Sequence, residues 1–256
     1  MSLFVEKAGS KGGMPMDVAI LAGGKGTRLS GITRGKQKCL VDVQGRPFIS
    51  LLLKQLKGFG LTKIFVMAGF DGQSVKRTVD SLSKEFQLDV ALFEEPEPLG
   101  TGGCLHQLIG ETSKSHVLVM NGDTFFEITK NDLDSAIESA TRSCFPKAVI
   151  FGGMSASSED EAGLFRHTSS GLKYARARLE SLNDEDQKKC FSGWMILPAE
   201  VLTQFPTRKC DIENCILDLV AQQKMEVEII ATQSWYFDIG TPERLIRIQE
   251  YLNKCP

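Results

Sequence analysis

Met16-Asp-Val-Ala-Ile-Leu-Ala-Gly-Gly-Lys-Gly-Thr-Arg-Leu-Ser30 joins two kinds of sequence without a break. Asp17 to Ala22 is a short apolar run suited to a strand buried on both faces, and it stops abruptly at Gly23-Gly24-Lys25-Gly26-Thr27-Arg28. Glycines lack a Cβ, so the backbone can turn sharply and press successive N–H groups against a ligand, a geometry that favours an anion such as a polyphosphate. Arg28 and Lys38 would add positive charge, the first as a fork for phosphate oxygens and the second as a mobile point charge. The spacing is neither the phosphate loop with Gly-Lys-Ser/Thr nor a full Gly-x-Gly-x-x-Gly fingerprint, because Leu29 follows Arg28 where the third glycine would sit. An ordinary glycine turn with surface cations has the same look, so the loop alone leaves both readings open.

Downstream, the polar stretch from Ser30 to Gln37 reads as a mobile flap over the loop. Cys39–Val43 reads as a short strand, Phe48–Phe59 as a helix stopped by Gly60, Lys63–Ala68 as a buried strand, Asp71–Phe86 as a helix and Leu88–Glu94 as a strand. Strands alternating with helices at this spacing predict crossover units and a parallel sheet with helices on both faces. Ligands of such sheets bind beyond the carboxyl ends of the strands, where the opening loop falls.

A chain of 256 residues can bury a substantial core. Its formal net charge of -2 shows no basic excess, which argues against nucleic acid as the main partner. Seven cysteines are scattered without a Cys-x-x-Cys pair, which reads as reduced thiols in a cytoplasmic protein rather than a disulfide framework or a zinc site. No apolar run approaches the ~18 residues of a membrane span. Residues 1–15 are expected to be a flexible extension with no secretory signal, and 16–256 one domain, with a first half to about residue 130 and a second half from there.

Two further loops fall at strand ends. Glu94-Glu-Pro-Glu-Pro-Leu-Gly-Thr-Gly-Gly103 precedes an apolar helix expected over Cys104–Ile109. Its prolines stiffen the approach and its glycines allow close backbone passage, so Glu95, Leu99, Gly100 and Thr101 are candidate contacts to a flat heterocycle. His116-Val-Leu-Val-Met-Asn-Gly-Asp-Thr124 is an apolar strand that runs into Gly122 and Asp123. A carboxylate there, beside bound phosphates, would suit Mg2+, although one carboxylate is seldom enough.

With three such loops in this order, the chain resembles the sugar-1-phosphate nucleotidylyltransferases. Leu21 to Leu29, Lys38 and Gly122-Asp123 match the family's motifs. Glu97 to Gly103, Asn121 to Phe126 and Phe237-Asp-Ile-Gly-Thr-Pro-Glu243 are similar to the bacterial D-glycero-D-manno-heptose 1-phosphate guanylyltransferases. The resemblance implies an α/β fold, Rossmann-like in the glycosyltransferase-A manner, with a mixed, mainly parallel sheet and helices on both faces. It implies transfer of a nucleotidyl group from a nucleoside triphosphate, GTP favoured, to a heptose or mannose 1-phosphate, releasing pyrophosphate. By position, Leu21, Ala22, Gly23, Gly24, Gly26, Thr27 and Gly122 would hold the nucleotide, Arg28 the leaving phosphates and Lys38 the α-phosphate. Arg28, Lys38 and Asp123 are thus the catalytic candidates, and Asp123 and Asp238 would share Mg2+. Products of this kind feed capsule or lipopolysaccharide synthesis. A homodimer is left open, and no left-handed β-helix is expected after the domain.

The sugar side departs from the family pattern, which places a Glu-Lys pair on a strand before a turn. Here Leu172-Lys-Tyr-Ala-Arg-Ala-Arg-Leu-Glu180 offers Lys173, Arg176 or Arg178 for the sugar phosphate, and Gly193 matches the turn glycine. Gly163 falls where relatives carry a Tyr-Gly turn, and its tyrosine is missing. Two rival readings follow: a regulatory paralogue that has lost turnover, and a CTP-dependent transferase acting on a non-sugar phosphate. The remaining expectations are strands at Lys147–Gly152, Phe191–Leu197 and Val227–Ala231, helices at Asp132–Thr141, Glu200–Phe205 and Ile212–Gln222, a solvated turn at Asn183–Lys189, and a final helix from Pro242 to Leu252. The thiol of Cys39, beside Lys38, reads like the other cysteines as a packed or surface thiol, with accidental covalent inactivation as the alternative.

Overall fold

The computed structural model describes residues 16–24, 37–69, 71–156 and 161–254. The expected extension at 1–15, the flap over 30–36, and Gly26, Thr27 and Arg28 lie outside them. Strand β1 (Met16–Ala22) is apolar except for Asp17, whose buried carboxylate accepts from the Thr112 hydroxyl at 2.7 Å, and it is buried along nearly its whole length. Its alternate side chains feed two separate cores: Val18 and Ile20 one, Ala19 the other.

Cys39–Val43 is not one strand. Lys38–Leu40 makes a single 3-10 turn, then β2 (Asp42–Val43) pairs with β3 (Arg46–Pro47) across Gln44 and Gly45, which have φ of 55° and 79°. Two positive φ values in a two-residue turn suit the twist of a tight hairpin. Cys39, Val41 and Val43 then face the core that helix α1 (Phe48–Phe59) covers. Gly60, at φ 81°, ends that helix in a left-handed cap.

Next come β4 (Lys63–Ala68), α2 (Gly72–Phe86), β5 (Asp89–Glu94), the single turn α3 (Gly100–Gly103) with a 3-10 continuation over Cys104–Leu108, β6 (His116–Asn121), β7 (Thr124–Phe126) and α4 (Lys130–Arg142). The second half adds β8 (Lys147–Ser155), β9 (Glu161–Thr168), β10 (Gly171–Arg178), α5 (Asp184–Gln187), β11 (Cys190–Pro198), a 3-10 segment over Ala199–Gln204, α6 (Ile212–Ala221), β12 (Glu226–Asp238) and α7 (Pro242–Lys254). Gly163 therefore sits inside a strand, opposite Arg176, and not in a turn. The solvated turn holds the short α5, capped by the Asn183 side chain accepting from the Asp186 amide. Val227–Ala231 and the motif after it form one strand, with a register shift between Ala231 and Trp235.

The strands share a sheet in the order β5-β4-β1-β6-β11-β8-β12-β7, with the β9–β10 hairpin attached at β11. Pairs β5–β4, β4–β1, β1–β6 and β8–β12 are parallel, whereas β11 and β7 run against their neighbours. Helices cover both faces: α1, α2, α4 and α7 on one core, α6 and the 3-10 segments over Cys104–Leu108 and Ala199–Gln204 on the other. The sheet is mixed and mainly parallel. Ala22, Glu94, Asn121 and Asp238 consequently end parallel strands on one edge, where the amino end of the reversed β11 joins them. No described helix is long and apolar enough to cross a membrane.

Candidate active site

Two cavities open along that edge. The first, about 560 Å3, is lined by Leu21 to Gly24 at the end of β1, by Glu95, Gly100 and Thr101, by Gln37 to Cys39, and by Asn121 to Asp123 at the end of β6. The second, about 350 Å3, lies against Gly163, Tyr174, Arg176, Gly193, Glu213, Asp238 and Arg244. Lys38, Asn121 and Asp123 line both, so they stand where the two meet.

Glu95 shapes the first cavity. It is only 8% exposed, and its Oε2 accepts the Leu99 amide at 2.8 Å, which folds the proline-rich approach back on itself. Burial pushes its carboxyl above the usual carboxylate range, and the Leu99 amide works against that shift. Leu99 does not line the cavity. Its amide is taken by Glu95, its carbonyl accepts the Cys210 amide at 3.0 Å, and its side chain packs against the second core. Lys209 reaches the same cavity from the loop before α6, a cation that nothing in the local sequence marks.

At the junction, Lys38 Nζ lies 3.0 Å from Asp123 Oδ2. Cys39 also borders the first cavity but is 2% exposed and belongs to the core under α1, and burial together with the nearby Asp123 charge raises its thiol to about 12. Cys39 is thus a protonated core thiol, which favours the plain packing reading over inactivation.

In the second cavity Tyr174 supplies the hydroxyl that the sequence around Gly163 lacks. A Cβ on Gly163 would lie 2.2 Å from Tyr174 Oη, so only glycine lets that ring lie across the strand. The hydroxyl bonds with both Arg176 and Glu213; burial and the Glu213 charge push it up, and Arg176 opposes them. Gly193, at φ 80°, sits at the irregular start of β11, where a Cβ would come within 2.7 Å of Asn121 Nδ2. Of the three cations considered for the sugar phosphate, Arg176 lines the cavity. Arg178 does not: it ends β10, 71% exposed, with Glu180 3.6 Å away. Lys173 is exposed and also outside the lining.

Asp123 and Asp238 both face the second cavity. Each carboxylate already has a cation: Lys38 on Asp123, and Arg244 Nη1 at 2.7 and 2.8 Å from the two oxygens of Asp238. Asp238 Oδ1 also accepts the Gly240 amide at 2.9 Å. Among the described residues no group of three or more His, Cys, Asp or Glu is placed to hold a metal ion. Two hard-oxygen donors fit Mg2+ only if phosphate oxygens and water complete its shell, which is how that ion is commonly held beside nucleotides.

Residues 18–254 match the nucleotidyl transferase family. A D-glycero-alpha-D-manno-heptose 1-phosphate guanylyltransferase of Campylobacter jejuni is 31% identical over 46% of this chain and 52% of its own. A mannose-1-phosphate guanylyltransferase of Mycobacterium tuberculosis is 25% identical over 91% of this chain and 63% of its own. The chain thus spans roughly half to two thirds of the length of these curated relatives. Among solved structures, HddC from Yersinia pseudotuberculosis complexed with GMP-PN superposes with a TM-score of 0.68 at 25% identity, covering 93% of this chain and 99% of that one. With the strand order, the glycine loop after β1 and a match that runs from the first strand to the last helix, this chain belongs to the nucleotidyl transferase family.

Proposed function

We propose that this protein transfers a guanylyl group from GTP to a sugar 1-phosphate of the heptose or mannose type, forming a GDP-sugar and pyrophosphate. The observation that carries this reading is the junction: a larger cavity walled by backbone-rich loops and a smaller, polar one share Lys38, Asn121 and Asp123. A reaction joining two phosphorylated substrates needs such a shared wall. An oxygen of the sugar phosphate attacks the α-phosphorus, the bond to the bridging oxygen of the β-phosphate breaks, and pyrophosphate leaves with that electron pair. No protein nucleophile is required, only in-line placement and cancellation of charge.

In this reading the Gly23–Gly24 backbone and the Glu95–Thr101 wall hold the nucleotide, and Arg28 meets the leaving phosphates. Lys38 exchanges the Asp123 carboxylate for the α-phosphate. Arg176, Tyr174 and Glu213 orient the sugar phosphate. Mg2+ held by Asp123 and Asp238 would supply further neutralisation of phosphate charge. The guanylyltransferase relatives and the neighbour complexed with GMP-PN favour guanine. The test is pyrophosphate release with Mg2+ and heptose or mannose 1-phosphate, with GTP replaced in turn by ATP, CTP, UTP and dTTP. GTP should support the fastest release. Release only with CTP and phosphocholine would replace this reading with a non-sugar transferase.

A further inference from the structure

The guanidinium of Arg244 covers both oxygens of Asp238 in the same cavity where the sugar phosphate is placed, and the reading above gives it no task. We propose that Arg244 is an exchangeable counter-ion: it holds Asp238 in the substrate-free pocket and passes to the phosphate of the sugar substrate when Asp238 turns to a divalent cation. This rests on the reading of Asp123 and Asp238 as carboxylates that share such an ion.

Three features carry it. Arg244 lies in the first turn of α7, and the backbone on either side of it is held: Ile239 N–H donates to the Asp123 carbonyl at 2.9 Å, and Leu245 N–H donates to the Thr241 carbonyl at 3.0 Å. The guanidinium therefore swings from a rigid base. Both partners are partly buried, with side chains 18% and 25% exposed, so neither charge can be left without a partner cheaply. Lastly, the cation and Arg244 compete for the same carboxylate lone pairs. Once displaced, the guanidinium stays charged and has the donor geometry that grips phosphate. Exchange gives Asp238 the cation and frees the guanidinium's donors for the phosphate in one step. The two ligands should then each tighten the other's binding.

The test is Mn2+ binding, followed by the electron paramagnetic resonance signal of the free ion. It uses the wild type, Arg244→Gln, Asp123→Asn and the double variant Arg244→Gln/Asp238→Asn, each with and without mannose 1-phosphate. Arg244→Gln should bind Mn2+ at least about fivefold more tightly than the wild type without sugar phosphate, and should lose most of the tightening that mannose 1-phosphate gives the wild type. A merely structural role for Arg244 would weaken Mn2+ binding instead. The double variant should lose the gain. If Arg244→Gln does not fold, Arg244→Lys replaces it, with a change in the same direction expected. Wild-type Mn2+ affinity in the variant that folds, or a gain that survives loss of Asp238, would overturn the exchange. If Asp123→Asn binds Mn2+ as the wild type does, the shared-ion reading itself falls; if it loses Mn2+ while Arg244→Gln stays at the wild-type value, only the exchange falls.

Discussion

Asp238 stands directly opposite Thr124 in the β12–β7 pair, and the amide of Ile239 donates to the carbonyl of Asp123 at 2.9 Å. Two aspartates from opposite halves of the chain are thereby fastened backbone to backbone at one cavity. Asp123→Asn is expected to lower Mg2+-dependent turnover by at least about 100-fold, the scale lost when one element of charge stabilisation is removed. Thermal melting should stay close to the wild type. Pyrophosphate release and calorimetry check both, and near-wild-type turnover would take this carboxylate out of the reaction.

Gly163→Ala would put a methyl group 2.2 Å from Tyr174 Oη. The ring must swing away from Arg176 and Glu213, so the KM for the sugar phosphate should rise while the KM for the nucleotide holds. Steady-state kinetics with each substrate varied separately decides this. Equal effects on both would indicate general damage to the edge of the sheet.

Thiol labelling provides a prediction about burial. With its thiol raised to about 12 and 2% exposed, Cys39 should stay unmodified by a maleimide in the native protein, while the exposed Cys144 reacts. Mass spectrometry of the labelled peptides reads this directly. Rapid labelling of Cys39 would contradict its placement in the core.

Glu95 carries a pH dependence whose sign follows from burial. Its folded-state carboxyl is raised, so its stabilising contribution is fully present below the ordinary Glu range and is lost as pH rises through the raised value. Glu95→Gln keeps an acceptor for the Leu99 amide and removes the titration. The variant should gain on the wild type in melting temperature as pH increases from about 4 to about 8. A constant difference across that range would show that Glu95 does not titrate abnormally.

The architecture was readable where one periodicity ruled. Phe48–Phe59 and Lys63–Ala68 form as expected because each carries a single uninterrupted pattern and ends at a glycine or a strand-end loop. The site was readable only along the chain. Gly163 looked like a turn because the tyrosine that fills its space comes from the next strand, a pairing that spacing does not encode. Arg178 has the same strand parity as Arg176, yet β10 ends there and Glu180 draws it outward. Leu99 sits within a loop of candidate contacts, but both its backbone groups are used inside the fold. Arg244 follows the Asp238 motif directly, and only the fold brings its guanidinium over both carboxylate oxygens.

Phosphorus-31 NMR of the wild-type protein with GTP, Mg2+ and heptose or mannose 1-phosphate tests the central claim most directly. A sugar-linked diphosphate and free pyrophosphate should grow in equal amounts as the GTP and sugar-phosphate signals decline. Inorganic phosphate as the sole product, or an unchanged spectrum with every nucleoside triphosphate and sugar 1-phosphate tried, would contradict it.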